Sequence, residues 1–233
     1  MLEIHEFAPV QGKQLSPFCY KVEIFCQLAE IPFLSVADMP NKSPTGKLPF
    51  IVDESQIIPD SGHILAYLKN KEGYDLDNNL NEEQHALGHL INRICEESLI
   101  FSILFSRWID DDNWPQFRDL VFGSMPRPLK AFLPGIFRKN IKKSLHLQGI
   151  GRLSKNEIYQ FGIADLKSLS ALLKQRPFAV TDKPTSYDAS LYAFIAILHH
   201  SGLRSDLSDY VTQQSSFLSY LQFMQKHLIK NVL

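Results

Sequence analysis

Cysteine is scarce in this sequence: three residues in 233, at Cys19, Cys26 and Cys95. A small, odd number cannot form the framework of a disulfide-stapled domain. Glycine, at 11, is far too rare for a collagen-like chain, and 45% apolar residues with a net charge of −1 exclude a disordered one. Long apolar runs are missing too. The longest, Leu99 to Ile109, is interrupted by Ser102, Ser106 and Arg107 and falls well short of the ~20 residues of a spanning helix. No membrane span is expected, and the first residues carry no charged, then apolar, then small-residue signal pattern. A reducing, cytoplasmic setting follows as the expectation. An excess of one charge is also absent, with 24 Lys+Arg against 25 Asp+Glu. On average this excludes a strongly basic nucleic-acid binder, but locally the balance breaks. Asp75 to Asp119 holds ten acidic and three basic residues, whereas Leu120 to Asn156 holds eight basic and none acidic.

What is present divides near Asp75-Leu76-Asp77-Asn78-Asn79. Before it, short β-branched or aromatic runs (Leu2 to Phe7, Phe33 to Ala37, Pro49 to Asp53, Gln56 to Ile58) alternate with helical spacing over Pro17 to Glu30 and Ser61 to Lys71. The order strand, helix, strand, connection, hairpin, helix predicts a small α/β unit with a mixed sheet. After it, helical periods dominate. Glu82 to Ile109 is one; Ser154 with Glu157, and Thr185 with Asp188, form capping boxes that open two more; Ser215 to Ile229 is the last. Residues Ala189 to Leu198 are apolar nearly all round, as in a central buried helix. The expected domains are 1–74 and 80–233, with a ligand cleft between them.

Three segments carry candidate chemistry. Ser16-Pro17-Phe18-Cys19 places a favoured N-cap and a favoured first helical residue at a helix start, whose free N–H groups and dipole stabilise a thiolate, either of a bound thiol or of Cys19 one turn on. The plain alternative is that Ser16 only caps and Cys19 only packs. Gly46-Lys47-Leu48-Pro49-Phe50 opens a strand with a proline, where a cis Leu48-Pro49 bond would offer the Leu48 backbone to a peptide-like ligand. Pro59-Asp60-Ser61-Gly62 opens a second helix with free N–H groups, a hydroxyl and a carboxylate, suited to the carboxylate and ammonium of an amino acid or serving simply as a cap.

In this order, the helix-opening Ser-x-x-Cys, the Lys-Leu-Pro strand start and the Asp-Ser helix start resemble the thioredoxin-like domain of the glutathione transferase superfamily. Thr185-Ser186-Tyr187-Asp188 resembles the capping box of that family's buried helix. Gly149-Ile150-Gly151-Arg152-Leu153-Ser154, followed by Asp165-Leu166 and Leu169-Ser170, is similar to the branch of failed axon connections and metaxin proteins. The resemblance implies a thioredoxin-like N-terminal domain followed by an all-α C-terminal domain. It implies glutathione as co-substrate, with Ser16 hydrogen-bonding its sulfur, Leu48 and Pro49 facing its cysteinyl part, Asp60 and Ser61 its γ-glutamyl end, and Lys47 its glycyl carboxylate. The reaction implied is attack of the activated thiol on a small electrophile, in a homodimer and without metal. Two alternatives accompany it: a non-catalytic metaxin-like interaction protein, and a glutathione-dependent thiol-disulfide oxidoreductase using Cys19. The sequence departs from the family pattern in a longer Ala8 to Leu15 loop and in Thr181, which replaces a glycine before the buried-helix cap.

Other features have simpler expectations. The basic residues over 127–152, interleaved with Phe132, Phe137 and Leu145, would suit an anionic surface or an anionic substrate, although a solvated helix face is the ordinary explanation; no nucleic-acid partner is expected. Opposite charge on the acidic segment would pair with them across a dimer. Asp110-Asp111-Asp112 reads as a solvated loop rather than a metal site, and His199-His200 as a structural helix end.

Overall fold

The computed structural model describes residues 1–71 and 73–228. Strands β1 (Leu2–Glu6), β2 (Phe33–Ala37), β3 (Phe50–Asp53) and β4 (Gln56–Pro59) form one sheet in the order β2-β1-β3-β4. Helix α1 (Pro17–Leu28) joins β1 to the parallel β2, and β3 and β4 add an antiparallel hairpin. The mixed sheet expected from the strand–helix–strand–hairpin order is therefore present. Inward alternation explains its register: Ile4 pairs with Ile51, Ile51 with Ile58, and Leu2, Ile4 and Glu6 all turn to the buried face. Helix α2 (Ser61–Lys69) follows β4 and buries Ile64, Leu65 and Leu68.

The rest is helical. The expected Glu82 to Ile109 period is a nearly continuous rod, made of α3 (Glu82–Ile94), a π-helical turn (Cys95–Leu99), α4 (Ile100–Leu104) and a second π-helical turn (Phe105–Ile109). Then come α5 (Trp114–Phe122), α6 (Arg127–Gln148), α7 (Lys155–Leu173), α8 (Ser186–His200), α9 (Asp206–Gln213) and α10 (Ser215–His227). Both predicted capping boxes form, Ser154 with Glu157 and Thr185 with Asp188. Ile229, the expected last residue of α10, lies outside the described residues. Buried Leu191 to Leu198 of α8 form the centre of the core, against which α1 packs antiparallel. Among the described residues no helix is long and apolar enough to cross a membrane.

The Gly149-Ile150-Gly151-Arg152 segment has a local explanation. Gly149 leaves α6 at φ 112, a conformation L side chains rarely adopt. A Cβ on Gly151 would come within 2.8 Å of the Leu145–His146 backbone. Arg152 Nε then donates to the free His146 carbonyl at 3.0 Å. The motif is a tight turn that folds Ile150–Arg152 back against the end of α6 before α7 begins.

Two charge expectations need correction. Asp110 is buried, not solvated: it accepts from Tyr159 Oη at 2.6 Å and from Lys155 Nζ at 2.7 Å. Asp112 takes the same lysine at 2.6 Å, and Asp111 takes Arg138 Nη2 at 2.6 Å. Part of the acidic–basic pairing expected between subunits is thus closed within the chain, because α6 and the start of α7 pack back on the Asp110–Asp112 turn. No cluster of His, Cys, Asp and Glu suited to a metal occurs among the described residues.

Candidate functional site

The pairing register decides which candidate segments meet. Phe50 at the start of β3 lies opposite His5 near the end of β1 and opposite Pro59 at the end of β4. Both α1 and α2 therefore begin at the same end of the sheet as Leu48-Pro49. The side chains confirm the closeness: Cys19 of α1 packs with Leu48 and Phe50 in one small buried cluster. Two helix N-termini, each with a side-chain cap and the positive end of its dipole, point to one edge.

Ser16 is the N-cap of α1, with Pro17 as the first helical residue; its Oγ accepts the Cys19 N–H at 3.3 Å. That bond uses a lone pair and leaves the hydroxyl proton free to donate. The Ala8 to Leu15 loop, longer than the family pattern, is drawn in. Val10 and Lys13 exchange backbone hydrogen bonds of 2.9 and 3.0 Å around Gln11 and Gly12, both at positive φ, as in a two-residue hairpin turn. Two side chains that sequence reasoning missed fix its end. Gln14 Oε1 accepts the Ser16 N–H at 3.1 Å, and Arg107 Nη1 donates to the Leu15 carbonyl at 2.7 Å. Arg107 reaches across from the second π-helical turn and is buried, which lowers its guanidinium pKa to about 10. Neither residue belongs to a local motif; the contact between positions 15 and 107 exists only after folding.

The peptide bond Leu48-Pro49 is cis, and both residues are buried while Lys47 is exposed. Asp60 caps α2, its Oδ1 accepting from Gly62 N at 2.9 Å and His63 N at 3.2 Å, from a backbone at φ 73. A non-glycine residue at positive φ carries strain of the sort that concentrates at functional positions. Ser61, first in α2, is buried beside it. Cys19 has the surroundings opposite to those of a reactive cysteine. It has no exposed surface, and burial pushes its thiol up to about 12, outweighing the Ser16 hydroxyl that favours the thiolate. Cys26 and Cys95 are likewise buried and free.

Comparison with known proteins gives this edge a context. The chain is 33% identical over 234 residues to the isoprene-epoxide–glutathione S-transferase of Rhodococcus sp. (strain AD45), covering 97% of this chain and 98% of that protein. The chain belongs to the glutathione S-transferase family. The family's N-terminal domain matches residues 17–113 and its C-terminal domain residues 162–224. Within the relatives, Failed axon connections of Drosophila melanogaster is 32% identical over 212 residues, 86% of this chain but only 51% of that protein. Human metaxin-2 is 25% identical over 214 residues, 90% of this chain and 81% of its own length. Among solved structures, a glutathione S-transferase of Ceriporiopsis subvermispora in complex with glutathione superposes with a TM-score of 0.67 at 15% identity, covering 98% of each chain. The glutathione transferase fold, with its four-stranded mixed sheet and helical remainder, is thus the fold of this chain, and the similarity to failed axon connections and metaxins matches the branch indicated by the Gly-Ile-Gly-Arg segment.

Proposed function

We propose that this family member binds glutathione at the shared edge of the sheet and activates its thiol for attack on a small electrophile. The observation that carries the reading is the register-enforced meeting of two helix N-termini, capped by Ser16 and Asp60, beside the cis Leu48-Pro49 bond. The Ser16 hydroxyl, its lone pair already committed to Cys19 N–H, donates to the sulfur and with the helix end favours the thiolate. The Leu48 backbone pairs with the cysteinyl part. Ser61 and the free oxygen of Asp60 hold the γ-glutamyl carboxylate and ammonium, and exposed Lys47 takes the glycyl carboxylate. The similarity to an isoprene-epoxide enzyme makes an epoxide the first electrophile to test. The thiol proton leaves to solvent, a C–S bond forms as the ring C–O bond breaks, and the alkoxide takes up a proton. Three buried free cysteines suit a reducing, cytoplasmic setting, and a homodimer is part of the same reading on the strength of the resemblance.

Titration calorimetry with glutathione and an assay of epoxide conjugation test the proposal. Ser16→Ala is expected to lower kcat/KM by about 10²-fold with a smaller change in glutathione affinity. An unchanged rate would remove Ser16 from its role. The likeness to Failed axon connections and metaxin-2 supports a second reading, a non-catalytic interaction protein, which predicts no measurable glutathione affinity. Disulfide exchange at Cys19 is disfavoured by its burial and raised pKa.

A further inference from the structure

Helix α6 has two lines of side chains that differ in what covers them. Its inner line packs home: Pro134 and Leu145 are buried, and Arg138 donates to the Trp108 and Ile109 carbonyls at 2.8 and 2.9 Å as well as to Asp111. Its outer line, spaced at three or four residues, is Leu129, Phe132, Ile136, Lys139, Lys143 and Leu147. Phe132 is 72% exposed, Leu147 68%, Ile136 53% and Leu129 49%. Solvent-facing apolar side chains in one row along a helix are not needed by any packing within the chain.

Charge indicates what covers them. Of the eight basic residues between Leu120 and Asn156, Arg138 and Lys155 are neutralised by Asp110, Asp111 and Asp112. Arg127, Lys130, Lys139, Lys142 and Lys143 make no ion pair among the described residues, and no acidic side chain lies in this stretch of sequence. A second copy of the chain docked about a two-fold axis on this ridge would set its cations, Lys139 and Lys143, against the same two residues of that copy. A nucleic-acid backbone would be met by apolar side chains at the very centre of the contact, where cations are required. An anionic bilayer surface meets both demands: acyl boundary for Phe132, Ile136 and their neighbours, headgroup phosphates and carboxylates for the flanking lysines.

We propose that the outer ridge of α6 is an interfacial docking surface for an anionic lipid bilayer, holding the protein reversibly on the membrane without spanning it. The outer ridge carries none of the residues assigned to the glutathione site, so the proposal stands or falls independently of glutathione binding. The test is co-sedimentation of the full chain with vesicles of phosphatidylcholine alone and with about a third phosphatidylserine, in low and in physiological salt. The wild type is expected to pellet with anionic vesicles at least about tenfold more than with neutral ones, and to be released by salt. Two variants that alter only exposed positions, Phe132→Asp/Ile136→Asp and Lys142→Glu/Lys143→Glu, are each expected to lose most of this binding with unchanged circular dichroism and melting temperature. The proposal is overturned if the wild type ignores anionic vesicles, pellets equally with neutral ones, or if both variants, folded, bind like wild type. It is also overturned if sedimentation velocity shows a dimer that Phe132→Asp dissociates, which would make a second copy the occupant, or if polyglutamate binds while vesicles do not.

Discussion

Gln14 serves four partners at once. Its Oε1 receives the Ser16 N–H, while its Nε2 lies 3.2 Å from Glu6 Oε2, 3.1 Å from the Phe7 carbonyl and 3.4 Å from Glu23 Oε1. Glu6 also accepts the Ser35 hydroxyl. Two carboxyls facing each other beneath a loop cannot both ionise without strong repulsion, so the pair keeps a proton. Burial, then the charge of Glu6, pushes Glu23 up to about 9, and burial raises Glu6. Unfolded, both titrate near the ordinary 4.5. Between these values the folded chain binds one more proton than the unfolded chain, so stability falls as pH rises. The contribution is complete below about 4.5 and gone above about 9. Glu23→Gln cannot ionise and removes that residue's share of the slope, leaving what buried Glu6 contributes. Relative to that variant, the wild type is expected to lose at least about 1 kcal/mol in urea unfolding between about pH 5 and about pH 9. Parallel pH profiles would show that the pair holds no shared proton.

Elements were legible where a local cause makes them. Ser16-Pro17 and Ser154-x-x-Glu157 announce helix starts by side chains that satisfy nearby N–H groups, and the structure places those starts as expected. Other features depend on partners far along the chain. The Asp75 to Asn79 segment reads as a polar boundary, yet Asp77 is buried and accepts from Ser186 N at 2.8 Å, from the Ser186 hydroxyl and from Lys69. It clamps the start of α8 from 109 residues away, a contact that spacing could not show. Likewise the Tyr187 ring occupies the space above Gly88, where a Cβ would fall 2.2 Å from it, so a glycine that looks like a flaw in α3 is the site of helix contact. The candidate site divides the same way: Ser16, Leu48-Pro49 and Asp60-Ser61 stand in recognisable local motifs, whereas Gln14 and Arg107 act through contacts only the fold creates. Removing the clamp by Asp77→Ala leaves the Ser186 N–H and Lys69 short of a partner. It is expected to cost about 2–4 kcal/mol, read as a lower urea midpoint with an unchanged m-value. A midpoint equal to wild type would mean that water replaces the carboxylate without loss.

At the scale of the molecule, the change of composition after residue 74 is not a boundary in the packing. One apolar cluster runs from Leu2 of the sheet through α1 and α8 to Met224 of α10. Across the junction Phe18 meets Phe194 edge-on at 5.8 Å and Tyr20 meets Tyr192 at 5.9 Å. Between them Lys21, only 2% exposed, donates to Glu96 Oε1 at 2.7 Å, and the Ser190 hydroxyl donates to the same oxygen. A buried lysine is tolerable only while its carboxylate stays in place. An isolated 1–78 fragment would expose that lysine together with the aromatic face of α1, and a unit of this size has little core to offset the loss. The expectation is therefore that the two halves melt together. Scanning calorimetry of the whole chain should give one transition with equal calorimetric and van't Hoff enthalpies, and the 1–78 fragment should show no dispersed amide spectrum by NMR. Two resolved transitions, or a folded fragment, would instead place an energetic boundary where the composition changes, leaving the Lys21–Glu96–Ser190 contact as a hinge between independent domains.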